Sequence, residues 1–368
     1  MTDLEEARAV IDEADRVMAE AFQKRMEAVR TVAAFKARHG LPVSDPAREQ
    51  AMRERNAAWI GDGELSPYYV QFLSSVTAIS RGFQRALMKG IRVSFSGVPG
   101  AYAEIAAKRI FPDGEAVGYP DFAEAYRAAE EGECDCCVLP IENSYQGEVG
   151  RVADLMFKGS LFVNGVYRLP VRHHLLGVGG AALTGVKKVI SHPQALGQCG
   201  EYIRLHGFET ESAVNTAVAA ESVAALRDPS VAAIASEETA ALYGLAVLDH
   251  DINASAVNTT RFAVFARSQP ERTASDETFI LLFTVNNVVG ALAKAVNIIC
   301  AHGFNMRVLR SRPVRDVPWQ YYFYTEAEGD YKSDEGERML RELRVCCDSL
   351  KVAGHFPAER DLSKEKTV

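Results

Sequence analysis

The chain has 368 residues, long enough for two or three domains with separate cores, and its 48% hydrophobic and 24% charged residues are those of an ordinary globular protein. A formal net charge of −8 argues against nucleic acid or an anionic membrane as partner, and no apolar run is long enough to span a bilayer. The start, MTDLEEARAV, is acidic and lacks the apolar core of a signal peptide, so a cytoplasmic location is expected and the acceptor-type triplets at Asn253 and Asn258 carry no sugar. Seven cysteines include adjacent pairs at 136–137 and 346–347, a pattern that is neither a disulfide framework nor zinc-ligand spacing; no metal and no cofactor is expected.

Thr2-Asp3-Leu4-Glu5 forms a capping box, and Gly40 followed by Pro42 marks the stop of one long helix. Its apolar stripe, Leu4, Ile11 and Met18, is interrupted by Arg25 and resumes at Val32. Lys36 shares the face of Arg25, about 16 Å further along the axis. Arg8 points a quarter-turn away from Arg25, so it serves the same ligand only from another copy of the helix. Asp45-Pro46 caps a second helix, with Arg48 and Glu49 in its opening turn. Ser66-Pro67 starts a third, whose stripe Leu73, Val76, Ser80, Gln84, Leu87 carries two polar residues where apolar ones belong. Taken singly, each is best read as a snorkelling base or a satisfied polar position. Together they are harder to dismiss, because no anion stands on the seam to pair the buried cation.

The ordered set Arg8, Arg25, Lys36, Asp45, Arg48, Glu49, Ser80, Gln84 resembles the all-helical chorismate mutase family across nearly all of residues 1–90. The resemblance implies an intertwined homodimer with Arg8 crossing to the partner's site. It also implies a pericyclic rearrangement of chorismate to prephenate, which needs no nucleophile or base, only compact binding and charge stabilisation. In that reading Arg8, Arg25 and Arg48 clamp carboxylates. Lys36 and Gln84 donate to the ether oxygen, and Glu49 holds the ring hydroxyl.

From Ile91 short β-rich runs alternate with helical ones: IRVSFS, CCVLPIE, KKVIS, SVAAIAS and RFAVFA. The pattern predicts an α/β domain with a largely parallel sheet and ligands beyond the strand ends. The unusual stretches lie at such ends: GVPGAYAE, ENSYQGEVG, SHPQALGQC with Ser191 as a helix cap, NTAVAA opening a helix at Asn215, and VNTTRF. GVGGAA from Gly177 mimics a dinucleotide fingerprint but leaves no room for the helix that motif requires. These stretches resemble the prephenate dehydratase family over residues 91–267. Glu142-Asn143-Ser144, Ser191-His192-Pro193-Gln194 and Thr260-Arg261-Phe262 match its motifs directly; Ala103 and Asn215 depart from a usual hydroxyl residue and serine. The implied prephenate site comprises those motif residues other than Pro193, with Gly147, Asn215, Thr216, Ala217 and Asn258. Thr260 protonates the departing ring hydroxyl, Arg261 anchors the pyruvyl carboxylate, and Phe262 packs on the ring.

RSQPERTASDE is polar and proline-bearing, a linker. From Thr278 the order strand, helix, strand, strand, helix, strand describes a ferredoxin-like unit without an acid–base–nucleophile set. It resembles the ACT regulatory domain, with Gly290-Ala291-Leu292 and Ser311-Arg312-Pro313 matching two ligand motifs, Asn287 near the first, and Val289 and Arg310 standing where proline and glutamate are usual. The resemblance implies phenylalanine as effector. The expected whole is a multidomain chain. An all-α chorismate mutase bundle (1–90) precedes an α/β two-lobed periplasmic-binding-protein-like dehydratase domain (91–267) and a linker (268–276). An α+β ferredoxin-like ACT domain (277–358) and a polar tail (359–368) follow. Two alternatives remain: a monofunctional dehydratase with a helical dimerisation domain, and a non-catalytic metabolite sensor.

Overall fold

A computed structural model of the chain describes residues 3–39, 41–254, 257–269, 276–314 and 317–363. Thr2 and Gly40, expected to bound the first helix, and residues 270–275 of the expected linker lie outside the described residues. The chain divides into two compact units, residues 1–92 with 113–115, and the remainder.

The first unit contains α1 (Asp3–Arg38), α2 (Pro46–Ala57) and α3 (Ser66–Lys89). α1 runs unbroken for 36 residues. The Asp45 side chain accepts from the Arg48 N–H and Pro46 occupies the first turn, which fixes where α2 begins. The buried positions of α3 are Leu73, Thr77, Ser80 and Gln84, a spacing that traces one seam along the helix. Leu87, expected on that seam, is 45% exposed. α1 is covered only along its C-terminal part, at Arg25, Met26, Val29, Val32, Ala33 and Lys36; residues 3–24 are exposed throughout.

The second unit begins with β1 (Arg92–Ser96), α4 (Tyr102–Ile110), β2 (Glu115–Tyr119), α5 (Phe122–Glu130), β3 (Cys136–Asn143), β4 (Gly147–Glu148), α6 (Gly150–Lys158) and β5 (Phe162–Pro170). It continues through β6 (His174–Gly177), β7 (Lys188–Ser191), α7 (Pro193–Gln198), α8 (Gly200–His206), β8 (Glu209–Ser212), α9 (Thr216–Leu226), β9 (Val231–Ala235), α10 (Glu237–Tyr243) and β10 (Ala246–Asp249) to β11 (Thr259–Ala266). A C-terminal module follows: β12 (Asp276–Thr284), α11 (Ala291–Ala301), β13 (Asn305–Pro313), β14 (Tyr321–Glu328), α12 (Asp334–Cys346), β15 (Ser349–Pro357) and β16 (Arg360–Asp361).

Residues 93–266 form two lobes. One holds β5-β11-β3-β1-β2, the other the sheet β10-β6-β9-β7-β8. The chain leaves the first lobe after β5 and returns as β11, so these neighbours run antiparallel, as do β11 and β3. The sheets are therefore mixed rather than largely parallel; β1–β3, β7–β8 and β7–β9 are among the parallel pairs. Between Gly177 and β7 there is only a single 3₁₀ turn, Leu183–Gly185, which removes the dinucleotide reading of GVGGAA.

The C-terminal strands pair in the order β13-β14-β12-β15, the ferredoxin-like arrangement its element order predicts. β15 meets β5 at Gly354 opposite Val163, joining module and lobe in one continuous sheet. A Cβ at Gly354 would stand 2.2 Å from the Val163 carbonyl oxygen, so the close approach of the two backbones requires glycine. The described part of the expected polar tail includes β16, which pairs alongside β5. Among the described residues no helix is long and apolar enough to cross a membrane.

Candidate active sites

The two lobes enclose a cleft of about 350 Å³. Its floor is the antiparallel pair β3–β11, where Thr260 stands opposite Asn143 and Arg261 opposite Glu142 before the register shifts to place Phe262 opposite Pro140. The extra residue, Ile141, is a bulge. Strand alternation alone would put residues three apart on opposite faces. The bulge lets Pro140 and Asn143 both line the cleft with Thr260 and Phe262.

The hydrogen bonds around Asn143 have one consistent direction. Its Oδ1 accepts from the backbone N–H groups of Tyr145 (3.0 Å) and Gln146 (3.1 Å), so its amide nitrogen must face the other way. Nδ2 then donates to Asn258 Oδ1 (2.9 Å) and to Thr260 Oγ1 (3.0 Å). Thr260 is an acceptor in that contact, which leaves its own proton available to the cleft. Asn258 Nδ2 donates to Gln198 Oε1 (3.0 Å), which also lies 2.8 Å from His173 Nε2. An amide oxygen only accepts, so His173 carries its proton on Nε2. Burial keeps that imidazole neutral and lowers its pKa to about 4, despite the opposing hydrogen bond to Gln198.

The second lobe contributes helix starts. His192 caps α7 by accepting from the Gln194 N–H, and Asn215 caps α9 by accepting from the Val218 N–H. His192, Gln194, Asn215 and Thr216 line the cleft. Burial lowers the His192 pKa as well. Ser191 is not a cap: it ends β7, and its hydroxyl donates to the Ile234 carbonyl at 2.6 Å, away from the cleft. Ala217 is fully buried inside α9. Ser144 and Gly147 belong to the turn beside the cleft rather than to its lining; the Ser144 hydroxyl donates to the Val257 carbonyl and accepts from the Thr259 N–H.

Arg261 and Glu142 do not enter the cleft. The alternation that turns Thr260 and Phe262 inward turns Arg261 to the opposite face, where its guanidinium pairs with Glu142, Glu326 and Glu359. Burial opposes its charge, but those carboxylates outweigh it and hold the pKa above the ordinary arginine value. Among the described residues no lysine or arginine lines the cleft, so an anion there meets neutral donors. Sequence reasoning missed Ser96, Tyr102, Gln146, His173 and Gln198, all at the cleft. Gln198 closes the SHPQALGQ run, a signal that was available; its Nε2 is buried with no protein partner. His173 follows β5 without any motif around it.

In the helical unit the fold brings Arg25 against Ser80 and sets Gln84 one turn along the same buried seam. Arg25 Nε donates to Ser80 Oγ (3.0 Å), which passes its own proton to the Val76 carbonyl. Gln84 Oε1 and Thr77 Oγ1 are buried without a partner. Lys36 Nζ donates to the Val43 carbonyl, and Glu49 pairs with Arg81, a residue the sequence reading passed over. Asp45 is occupied as a cap and Arg48 is exposed. Arg8, on the exposed part of α1, lies about 26 Å along the axis from Arg25.

A further cavity, of about 400 Å³, lies in the C-terminal module, lined by Asn287, Val288, Ala291, Leu292, Trp319 and Asp348 among others. Gly290 caps α11 at its edge in the left-handed conformation (φ 82°). Ser311, Arg312 and Pro313 do not line this cavity. They lie on the edge strand β13, and Arg312 pairs with Asp154 and Glu148.

Known families match the helical unit and the two lobes. The prephenate dehydratase family model matches residues 93–270, and the type II chorismate mutase model matches residues 7–85. A bifunctional chorismate mutase/prephenate dehydratase of Enterobacter agglomerans is 33% identical over 362 residues, covering 93% of this chain and 92% of that protein. The chain belongs to the bifunctional chorismate mutase/prephenate dehydratase family. Among solved structures, prephenate dehydratase of Arthrobacter aurescens in complex with L-Phe is 25% identical with a TM-score of 0.67, covering 76% of this chain and 92% of that one. A chain described as the quorum-quenching acylase GqqA is 30% identical, also at a TM-score of 0.67, covering 73% of this chain and 98% of its own.

Proposed function

We propose that the helical unit rearranges chorismate to prephenate and that the cleft converts prephenate to phenylpyruvate, on the route to phenylalanine. The carrying observation is the directed contact between Asn143 and Thr260, which leaves a hydroxyl proton facing the cleft. Prephenate loses its ring hydroxyl and carbon dioxide together, and aromatisation drives the step. Hydroxide leaves poorly unless protonated, so a fixed donor at that oxygen lowers the barrier. Thr260 is that donor; Phe262 packs against the ring. The carboxylates are held by neutral groups, the α9 start at Asn215–Thr216, Gln194 and the unpartnered Gln198 amide. Arg261 serves behind the strand.

For the mutase step, Arg25 is oriented through Nε by Ser80, which leaves its terminal nitrogens for a carboxylate. Gln84 and Lys36 supply donors to the ether oxygen. Arg8 comes from a second copy. Support for a homodimer is the uncovered stripe of α1, where Leu4, Ile11 and Met18 are about half exposed. Covering the exposed half of each contributes on the order of 1 kcal/mol. The C-terminal module is an ACT domain whose cavity takes phenylalanine, its carboxylate at the start of α11 and its ring against Val288 and Trp319. All seven cysteines are thiols, four of them buried, which supports a cytoplasmic location. The test is to give the purified chain chorismate and follow prephenate and phenylpyruvate with time. Transient prephenate followed by phenylpyruvate supports both assignments, and chorismate left unconsumed removes the first.

A further inference from the structure

We infer that Glu359, from the C-terminal strap, is a positioning residue for the dehydratase step; this rests on the reading of Thr260 as proton donor. After β15 the chain leaves its own module and returns to the first lobe. Arg360 and Asp361 pair with Tyr167 and Arg168 of β5, the Leu362 N–H donates to the Arg168 carbonyl (2.8 Å), and Arg109 of α4 donates to the Leu362 carbonyl (2.9 Å). β5 is the neighbour of β11. The strap thereby sets Glu359 against the back of the strand that carries Thr260.

Arg261 lies between Thr260 and Phe262, and its fork is held by carboxylates from three separate segments: Glu142 of β3, Glu326 of β14 and Glu359 of the strap. Glu142 is the residue before Asn143, so the cluster grips from behind both residues of the Asn143–Thr260 contact. Arg310 also pairs with Glu142, and Arg168 lies 3.8 Å from Glu359. Three carboxylates therefore face three guanidiniums, a balanced set in a half-dry site. Glu359 and Glu326 share one terminal nitrogen of Arg261. Without Glu359 the cluster carries an excess positive charge and the fork recentres on Glu326 and Glu142, shifting the β11 step. A proton donor tolerates displacement of about 0.5 Å before catalysis suffers.

The test uses the full-length protein with Glu359→Gln and Glu359→Asp, and Thr260→Val alongside. Dehydratase kcat and KM are measured with supplied prephenate; the KM reports whether the cleft is intact, and mutase turnover of the same preparation reports the helical unit. For Glu359→Gln the expected result is a kcat reduced about tenfold with KM within about twofold. Glu359→Asp, which keeps the charge, recovers most of the rate, and mutase turnover is unchanged. A Glu359→Gln kcat within about twofold of the parent overturns the proposal. So does a loss shared equally by Glu359→Asp and by the mutase, which would be general damage. If Thr260→Val keeps full turnover, the reading of Thr260 fails, and Glu359 with it, whatever Glu359→Gln does.

Discussion

Asn143 and Thr260 face each other across two antiparallel strands, and the asparagine amide donates to the threonine hydroxyl at 3.0 Å. The direction of that bond is fixed two residues away, where the Tyr145 and Gln146 N–H groups claim the asparagine oxygen. A weak acid is thus oriented by the turn at Tyr145 and Gln146.

Asn143→Asp preserves shape but removes the donor and places an acceptor beside the hydroxyl. Thr260 then donates to the carboxylate instead of to the cleft. Dehydratase kcat should fall about a hundredfold with mutase turnover unchanged, measured by steady-state kinetics on each substrate separately. Parental dehydratase kinetics would show that the orientation of Thr260 is unimportant.

Arg25→Ala removes the cation of the helical seam and the hydrogen bond to Ser80, whose hydroxyl keeps its bond to the Val76 carbonyl. Mutase turnover should drop about a hundredfold or more, while turnover of supplied prephenate persists. Equal loss of both activities would point to a folding defect rather than a ligand residue.

His173 links pH to stability. Its folded pKa, about 4, lies below the ordinary value of 6.5, so between these values the unfolded chain binds the extra proton. The contribution is full above pH 6.5 and is lost as pH falls toward 4, by up to roughly 3 kcal/mol. Thermal inactivation of the dehydratase should shift less between pH 7 and about pH 5 in His173→Gln than in the parent. An identical shift in both would place the titrating group elsewhere.

Val288 is 68% exposed and lines the cavity of the C-terminal module, so Val288→Asp leaves the core intact. Its carboxylate repels that of phenylalanine. A titration of dehydratase activity with phenylalanine should need about tenfold more effector in this variant. Unaltered inhibition would move the effector site out of this cavity.

Much of this was legible in the sequence because local signals carried it. Asp45-Pro46, Asn215 and the βαββαβ order each declare themselves through caps and periodicity. What escaped were relationships set by strand pairing. Arg261 reads as a substrate anchor until alternation turns it away from Thr260, and no local pattern shows which face a strand gives to a cleft. Ile141 as a bulge, the return of β11 and the strap at Glu359 are all consequences of partners distant in sequence. His173 is recognisable only by what it touches, Gln198 and Tyr102.

The most direct test of the account is the time course of full-length Thr260→Val supplied with chorismate. The account predicts chorismate consumed at the parental rate and prephenate accumulating, with phenylpyruvate formation slowed about a hundredfold or more. Phenylpyruvate appearing at the parental rate would contradict it.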